Sequence, residues 1–388
     1  MTNSDGVAMA APVLEVKNLS VDYVVGAGTF HALSEVSFEI EPGRVLGIVG
    51  ETGSGKSTLA HSIPRLLPEP PARIRSGEIL FHGIDTLKLE KWQLPRIRGT
   101  GVSMVFQEPL NSLNPAYRIF DQIAESVRIR QLREAGKMPG ILPAGEPFDY
   151  SKRDSPKASD VLTKPLVPSL PSKRLRTIIR ADESMRREVL EYLRLVRIND
   201  PETILTLYPH ELSGGMRQRI MIAIALSGRP SLLIADEPTS ALDITIQAQV
   251  LTLMKELMSE VRTSILFISH DLGVIAEMAD DVGVMYAGHL VEFGPLEDVY
   301  ENPRHPYTKA LLRAVPNRYK TDGSLPSLRG TVPNLSRIPS GCPFHPRCPL
   351  AKPVCSKDPG PALLPAEGSR IRGHLAACYF SKDVEALP

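Results

Sequence analysis

The sequence predicts an α/β fold followed by a small C-terminal domain, and three observations lead to this prediction. Short apolar stretches typical of buried strands recur along the first 295 residues, with helical spacing between several of them. A glycine-rich loop at residues 50–57 joins one such stretch to a helix. All four cysteines of the 388-residue chain lie in its last fifth. We therefore place a domain boundary near Pro295, with domains over residues 1–295 and 296–388.

The N-terminal residues alternate between apolar and polar in the manner of half-buried strands, first over 14–23 and then over 36–40. A Glu-Pro-Gly turn leads into the apolar strand 45–49, which runs directly into the glycine loop. Residues 59–67 continue beyond the loop as a predicted helix. The remaining predicted elements are buried strands at 102–106, 232–235 and 265–268, a helix at 244–258, and a hairpin of 282–286 with 290–293.

Two stretches interrupt this α/β pattern. Residues 134–172 are rich in proline, lysine and serine and show little periodicity, so we interpret them as a surface insertion. Helical spacing returns over 174–197, within a helical subdomain that we place at about 108–228. After Pro316, proline and serine dominate again until the cysteines begin.

Composition limits the classes of function. The chain carries 45 basic and 44 acidic residues, so its net charge gives no argument for a nucleic-acid partner. Its N-terminus lacks the basic start and apolar core of a secretory signal, and its strongest apolar run, 220–226, is too short to cross a bilayer. We expect a soluble, cytoplasmic polypeptide that depends on other chains if it works at a membrane.

The glycine-rich loop has the residues that a phosphate chain requires. It reads Gly50, Glu51, Thr52, Gly53, Ser54, Gly55, Lys56 and Ser57, and Thr58 follows. Glycines allow backbone N–H groups to approach phosphate oxygens, and the helix that follows offers its positive end. Lys56 can reach the β- and γ-phosphates, and the Ser57 hydroxyl can bind Mg²⁺. A chance glycine turn is the alternative, and the flanking strand and helix argue against it.

Asp236 and Glu237 follow the predicted strand at 232–235. Asp236, at the end of an apolar strand, is well placed to hold the Mg²⁺ shell, and Glu237 could orient or deprotonate the attacking water. An acidic turn after a core strand would explain either residue alone. Together with the glycine loop, the pair indicates hydrolysis of a nucleoside triphosphate.

The order of these motifs resembles that of the ATP-binding cassette (ABC) ATPases over roughly residues 12–295. The matching residues are Gly50–Ser57, Gln107, Leu212–Met216, Asp236–Glu237, Ser240–Asp243 and His270. The resemblance implies ATP as substrate and a RecA-like core with an antiparallel β subdomain and a helical subdomain. By the same resemblance, Gln107 senses Mg²⁺ and the γ-phosphate and faces a membrane subunit, and His270 holds the γ-phosphate. Gln107 and His270 could otherwise be an ordinary surface polar group and a strand-end histidine.

The same resemblance implies that Ser213, Gly214 and Gly215 contact the γ-phosphate of an opposite cassette, and that Asp243 links the two sites. A physical argument agrees, because Ser213 to Gly215 precede a run that can be helical and so form a second anion site. A chain with its own glycine loop gains little from that second site unless it serves a partner. We therefore expect two cassettes to meet head to tail.

The adenine ring requires an aromatic partner, and we assign Tyr23 because it ends the first strand ahead of the glycine loop. Phe30 and His31 are the alternatives. A purely structural role, packing at the edge of the sheet, would also explain an aromatic residue at position 23.

Several segments resemble the ATPases of oligopeptide and dipeptide importers, and nickel importers share much of the pattern. The resemblance implies a second, related ATPase subunit, two membrane-spanning permease subunits and an extracytoplasmic binding protein, with this chain peripheral on the cytoplasmic side of the membrane. A soluble ABC ATPase acting on DNA or ribosomes, and an iron–sulfur sensor with a vestigial cassette, are the alternatives. The segments are Phe106–Pro115, Met216, His305–Leu312 and Gly341–Pro349.

Cys342, Cys348, Cys355 and Cys378 are separated by five, six and twenty-two residues. Four thiolates can close around Zn²⁺ or an iron–sulfur cluster, and the resemblance to importer tails favours [4Fe–4S]. His345 or His374 could replace a cysteine as a ligand. Four unligated buried cysteines are the structural alternative.

Overall fold

The computed structural model describes residues 11–26, 28–107, 112–136, 183–240, 242–261, 263–314, 330–367 and 373–387. The predicted insertion lies outside the described residues from 137 onward, as does the first part of the helical stretch predicted at 174–197. None of the helices in these ranges is long and apolar enough to cross a membrane.

The strands form two sheets. A four-stranded antiparallel sheet has the order β2-β1-β4-β5, and an eight-stranded sheet has the order β11-β12-β10-β9-β3-β8-β7-β6. In the larger sheet the neighbours from β9 to β6 are parallel, and β10, β12 and β11 add antiparallel strands at one edge. The strands are β1 Leu14–Val25, β2 Gly28–Ile40, β3 Val45–Val49, β4 Ala72–Phe81, β5 Ile84–Asp85, β6 Val102–Val105, β7 Leu232–Asp236, β8 Ser264–Ser269, β9 Asp281–Tyr286, β10 His289–Pro295, β11 Leu364–Pro365 and β12 Leu375–Ala376.

Nine α-helices are described in these ranges. The helices are α1 Lys56–Ser62, α2 Ile119–Glu134, α3 Glu183–Leu195, α4 Pro201–Ile204, α5 Gly214–Ser227, α6 Ile244–Val261, α7 Leu272–Met278, α8 Leu296–Glu301 and α9 Pro306–Arg313. The predicted helix at 59–67 is therefore shifted, since α1 begins inside the glycine loop at Lys56 and ends at Ser62, two residues before Pro64. No helix or strand was predicted from the sequence at the position of β4.

The parallel strands are buried on both faces, which explains why they read as continuous apolar runs. Successive side chains point to opposite faces of a strand, so the core divides into two clusters. Leu232 and Ile234 of β7 pack in one cluster with β1 and β2, whereas Leu233 and Ala235 pack in the other with the helices. The α/β fold predicted from these runs is confirmed.

The C-terminal segment is joined to the larger sheet. β12 pairs with β10, with Leu375 opposite Phe293. Buried His374 lies 2.9 Å from Asp298 Oδ2 through Nδ1 and 2.7 Å from Glu292 Oε1 through Nε2. The segment is thus held to the hairpin by backbone pairing and by a buried polar cluster. The division at Pro295 stays a prediction.

Candidate functional site

The predicted site residues lie where the parallel strands end. β3 leads into the glycine loop, β6 into Gln107, β7 ends at Asp236 and β8 is followed by His270. Because these neighbouring strands are parallel, their carboxyl ends share one edge of the sheet. Residues that are more than 200 positions apart in sequence therefore meet at this edge.

Two glycines of the loop are required by its conformation. A Cβ at Gly50 would collide with the carbonyl oxygen of Met285 on the neighbouring strand. Gly55, directly before α1, has φ +105°, a region that residues with side chains rarely adopt. At these two positions, the close contact of Gly50 and the backbone conformation of Gly55 therefore favour glycine over any larger residue.

Lys56 is buried, and its ammonium group caps the loop. Nζ donates hydrogen bonds to the carbonyl oxygens of Gly50 at 2.8 Å and of Glu51 at 3.1 Å. Burial lowers the pKa of Lys56, while the nearby carboxylates of Glu237 and Asp236 oppose this shift. The buried Oγ of Ser54 has no hydrogen-bond partner among the described residues. A polyphosphate would supply the acceptors and charge that both groups require.

Ser57 and Asp236 place two oxygen atoms side by side, since the Ser57 hydroxyl donates to Asp236 Oδ1 at 3.2 Å. Burial raises the pKa of Asp236, an effect that His61 and Ser57 reduce. The two oxygens are the kind of ligand that Mg²⁺ prefers. His61, whose Nδ1 lies 3.8 Å from Asp236 Oδ2, was missed in the sequence, although it follows Ser57 by one helical turn.

Glu237 brings three of the predicted residues together. Its Oε2 accepts a hydrogen bond from Gln107 Nε2 at 3.2 Å and lies 3.2 Å from His270 Nδ1. Its backbone has φ +46°, an uncommon conformation for a residue with a side chain, and its N–H donates to Ile268 O. Strained backbone of this kind is concentrated at functional sites. The carboxylate is thus held between two polar groups at the strand ends.

The segment from Ser213 to Gly215 lies in a different setting. Ser213 caps α5, since its Oγ accepts a hydrogen bond from the N–H of Met216 at 3.4 Å. A Cβ at Gly214 would meet no atom within 4 Å. Asp243 caps α6 by accepting from Ile246 N at 3.0 Å. In the described part of the chain, no hydrogen bond joins these residues to the glycine loop, so the chain does not bring the two predicted phosphate contacts together.

Tyr23 lies in β1 directly opposite Phe30 of β2 and is half-buried. His31 Nδ1 lies 2.8 Å from Asp22 Oδ1. The predicted adenine contact and its two alternatives are therefore neighbours at one end of the four-stranded sheet. The choice of Tyr23 stays a prediction.

The glycine loop also contacts the C-terminal segment, a contact that the sequence did not predict. The Glu51 N–H donates to the hydroxyl of Tyr307 at 2.9 Å, and the Glu51 carboxylate pairs with Arg347 at 2.7 Å. Residues 256 and 296 positions further along the chain thus touch the loop. No local pattern signals contacts at such separations.

The four cysteines are buried or half-buried as free thiols. Burial, together with the charges of the other cysteines, raises the pKa of Cys348 to about 11 and that of Cys378 to about 12. However, no three His, Cys, Asp or Glu side chains within the described ranges are arranged to hold a metal ion. This geometry does not support the predicted cluster. The alternative ligand His374 is already placed between Glu292 and Asp298.

The glycine loop, the Ser57–Asp236 pair and Glu237 define the class of the protein as a phosphate-loop ATPase. Comparison with known proteins identifies its family. The sequence profile of the ABC transporter family matches residues 33–240, and that of the "Oligopeptide/dipeptide transporter, C-terminal region" matches residues 291–355. The chain belongs to the ABC transporter family, as its motif order predicts, and is an ATP-hydrolysing subunit of that family.

Relatives match the chain over nearly its full length. It is 40% identical over 376 residues to the probable peptide ABC transporter ATP-binding protein y4tR of Sinorhizobium fredii, covering 97% of each chain. It is also 40% identical over 368 residues to the dipeptide transport ATP-binding protein DppD of Bacillus subtilis, covering 95% of this chain and 94% of the relative.

Solved structures share the fold. The dimeric ATP-binding cassette MJ0796 bound to ADP and Pi aligns with a TM-score of 0.54 at 24% identity, covering 73% of this chain and 98% of the cassette. The cbiO1 protein of Clostridium perfringens, part of the ABC transporter complex cbiONQ, aligns with a TM-score of 0.52 at 25% identity, covering 75% and 92% respectively. The predicted ABC-type architecture is therefore confirmed.

Proposed function

We propose that this chain hydrolyses ATP to power the uptake of di- or oligopeptides across the cytoplasmic membrane. The observation that carries the proposal is the joint presence of two features in one chain. One is the Gln107–Glu237–His270 cluster beside the glycine loop, and the other is the peptide-transporter C-terminal region at 291–355. Relatives that match both parts are described as peptide and dipeptide transport proteins. The match to that C-terminal region favours a transporter subunit over a soluble ABC ATPase acting on DNA or ribosomes.

The proposed chemistry follows from the contacts at the strand ends. The loop N–H groups, Ser54 and Lys56 bind the phosphates, with Thr52 and Thr58 as further contacts, and Tyr23 stacks on adenine. Ser57 and Asp236, with Gln107, would hold Mg²⁺, which when bound would neutralise charge on the β- and γ-phosphates. Glu237 orients or deprotonates the attacking water, and His270 and Lys56 stabilise charge on the γ-phosphate.

We further propose that two cassettes assemble head to tail, so that Ser213, Gly214 and Gly215 of each contact the ATP bound by the other. The open space at Gly214 supports this arrangement, because a partner's phosphate can approach the start of α5 there. Asp243 caps the start of α6, and Ile246 in the first turn of that helix lies against Gly215. The other expected partners are a related ATPase subunit, two permease subunits and an extracytoplasmic binding protein, with this chain on the cytoplasmic side.

The function is tested by transport. The chain is purified with the proteins that bind it in detergent-solubilised membranes, and the complex is reconstituted into vesicles. ATP-dependent accumulation of labelled peptide supports the proposal. Co-purification of ribosomal proteins or DNA without any multi-span membrane protein contradicts it.

For the four cysteines we propose a [4Fe–4S] cluster, with Zn²⁺ as the alternative. The proposal is supported by the backbone contact in which the Cys342 N–H donates to Cys355 O at 2.8 Å, and by the burial or half-burial of all four thiols, although the described side chains are not arranged as metal ligands. Visible absorption and metal analysis of anaerobically purified protein test it. Four cysteines with neither iron nor zinc would contradict both forms.

A further inference from the structure

An arginine of the C-terminal segment forms a two-pronged ion pair with the glycine loop. Arg347 Nη1 donates to Glu51 Oε2 at 2.7 Å and Nη2 donates to Oε1 at 3.2 Å. The Arg347 side chain is only 6% exposed and that of Glu51 27% exposed. Fork-to-fork geometry of this kind fixes orientation as well as charge. The pair therefore joins the tail to the loop in one defined arrangement.

Aromatic rings hold Arg347 in place. Its guanidinium carbon lies 5.8 Å from the centre of the Tyr286 ring and 6.0 Å from that of Phe344, and Nη1 lies 3.4 Å from the Tyr286 hydroxyl. Tyr307 packs against both rings, with ring centres 4.7 and 5.4 Å away. The cluster of Tyr286, Tyr307 and Phe344 thus orients the arginine before any ligand arrives.

The same cluster fixes the loop backbone at Glu51. The Glu51 N–H donates to the Tyr307 hydroxyl at 2.9 Å, and the Glu51 carbonyl accepts from Lys56 Nζ at 3.1 Å. Glu51 therefore has its N–H, its carbonyl and its carboxylate all engaged. Glu51 therefore links the C-terminal segment to Lys56, the residue proposed to contact the phosphates.

An acidic side chain in a phosphate-binding loop requires neutralisation. Like charges repel, and screening by solvent is weaker for partly buried groups than for exposed ones. Without Arg347, the carboxylate of Glu51 would oppose a ligand that carries several negative charges. With Arg347 bound to both of its oxygens, the negative charge of the carboxylate is neutralised and no longer opposes the ligand.

We propose that Arg347 is a positioning residue for ATP: it neutralises Glu51 and, with Tyr307, fixes the loop backbone that holds Lys56. This inference rests on the proposed ATP site at Gly50–Ser57. It assigns the C-terminal segment a direct part in nucleotide affinity. Displacement of that segment would then weaken ATP binding without altering any residue of the loop itself.

The test measures the Kd for Mg·ATP of the full-length chain by titration calorimetry. Arg347→Gln should weaken binding roughly tenfold, since one unpaired charge now faces the phosphates. Adding Glu51→Gln to Arg347→Gln should bring the Kd back to within about threefold of the native value, because it removes the unpaired charge. Arg337→Gln, which removes an exposed arginine of the same tail, is the matched control and should have no effect.

Three results would overturn the inference. One is an unchanged Kd in Arg347→Gln, and another is a double variant as weak as Arg347→Gln. The third is an Arg337→Gln effect equal to that of Arg347→Gln. If Arg347→Gln fails to fold, Tyr307→Phe replaces it, because this change removes the acceptor for Glu51 N–H and keeps the ring. A several-fold weaker Kd supports the inference, and an unchanged one overturns it.

Lys56→Ala separates this inference from the proposed site. If Lys56→Ala binds Mg·ATP as tightly as the native chain, the proposed nucleotide site is wrong and the inference falls with it. If Lys56→Ala loses binding while Arg347→Gln does not, the site stands and only the role of Arg347 is refuted.

Discussion

The glycine loop and the segment from Ser213 to Gly215 are both helix N-termini suited to an anion, yet their surroundings differ. The loop is enclosed by its own chain, with Lys56 bound to loop carbonyls and Glu51 bound to Tyr307 and Arg347. The Ser213 segment makes its hydrogen bond within α5 and leaves open space at Gly214. The loop is thus contacted by other parts of its own chain, whereas at Gly214 no described residue outside the surrounding helix approaches within 4 Å of an added Cβ.

This difference indicates how the work is divided. In the proposed function, the first region binds the phosphates together with groups at the neighbouring strand ends, and Glu237 among these activates water. The second offers donors and a positive helix end at a place that its own glycine loop does not use. In the proposed head-to-tail arrangement, a second cassette lies at this place. Substitutions in the two regions should therefore differ in their effects on ATP binding by the single chain and on ATP turnover by the assembled transporter.

The largest effect is expected from Glu237→Gln, at the end of the strand beside the first region. The glutamine carbonyl can still accept from Gln107, so the site keeps its shape, but the general base is lost. ATP turnover of the assembled transporter should fall by about 10²–10⁴-fold while ATP binding is retained and the closed pair accumulates. Glu277→Gln, at an exposed position of α7, is the control. Near-native turnover in Glu237→Gln would refute the role given to Glu237.

Gly214→Asp probes the second region. Among the described residues outside its own helix, none approaches within 4 Å of a Cβ at this position, so folding and the Kd of the single chain for Mg·ATP should stay within about twofold. In the assembled transporter the new carboxylate would face a partner's phosphate, and turnover should fall on the order of 10²-fold. Calorimetry of the single chain and ATPase assays of the complex give the two readings. Loss of Mg·ATP binding by the single chain would contradict the proposed difference between the two regions.

Lys56→Ala tests the first region by binding alone. It removes a buried ammonium that holds two loop carbonyls, so the Kd for Mg·ATP should rise by roughly 10- to 100-fold in the single chain. The exposed Lys88→Ala variant should bind as the native chain does. Equal affinity of Lys56→Ala and the native chain would contradict the assignment of the loop.

The smallest effect concerns pH and the support beneath the loop. Burial lowers the pKa of His305 to about 3, and its Nδ1 accepts from the N–H of Tyr307 at 3.1 Å. The folded state therefore keeps this ring neutral, whereas the unfolded chain takes up a proton below about pH 6.5. Stability is full above that value and is lost as pH falls toward 3, by at most about 1.4 kcal/mol per pH unit for one group.

Urea unfolding at several pH values measures this loss. His305→Asn keeps a cap acceptor for α9 but cannot titrate, so its stability should fall less steeply between pH 6.5 and 4 than that of the native chain. His82, whose pKa burial lowers to about 4, supplies a similar slope in both proteins. Identical slopes for the native chain and His305→Asn would show that His305 already carries its proton in the fold.

Local patterns predicted much of the fold. The apolar runs at β3, β7 and β8 and the turn between β9 and β10 gave correct elements, because a strand buried on both faces leaves a continuous apolar signal. β4 was missed because Arg73, Arg75 and Glu78 interrupt its apolar residues. The helix after the glycine loop was placed too late, since Gly55 and Lys56 do not read as a helix start.

The sequence predicted the parts of the site whose residues belong to motifs in a characteristic order. Gln107, Glu237 and His270 were expected near one another and are joined by hydrogen bonds. The Glu51–Arg347 pair was not predicted, because the segment Gly341–Pro349 that contains Arg347 carries no local signal for a partner 296 positions earlier in the chain. Arg347 reaches the loop through tertiary packing, in which the neighbouring Phe344 lies against Tyr286 and Tyr307. The cysteine spacing predicted a metal site that the arrangement of ligands does not support.

The most direct test of the account is the rate of ATP hydrolysis by the purified chain over a range of protein concentrations, with its molar mass followed by light scattering. We predict that the monomer binds ATP without cleaving it, and that hydrolysis appears only as two cassettes associate. A turnover per chain that stays constant down to concentrations where the protein is monomeric would contradict the claim that each chain holds half of a working site.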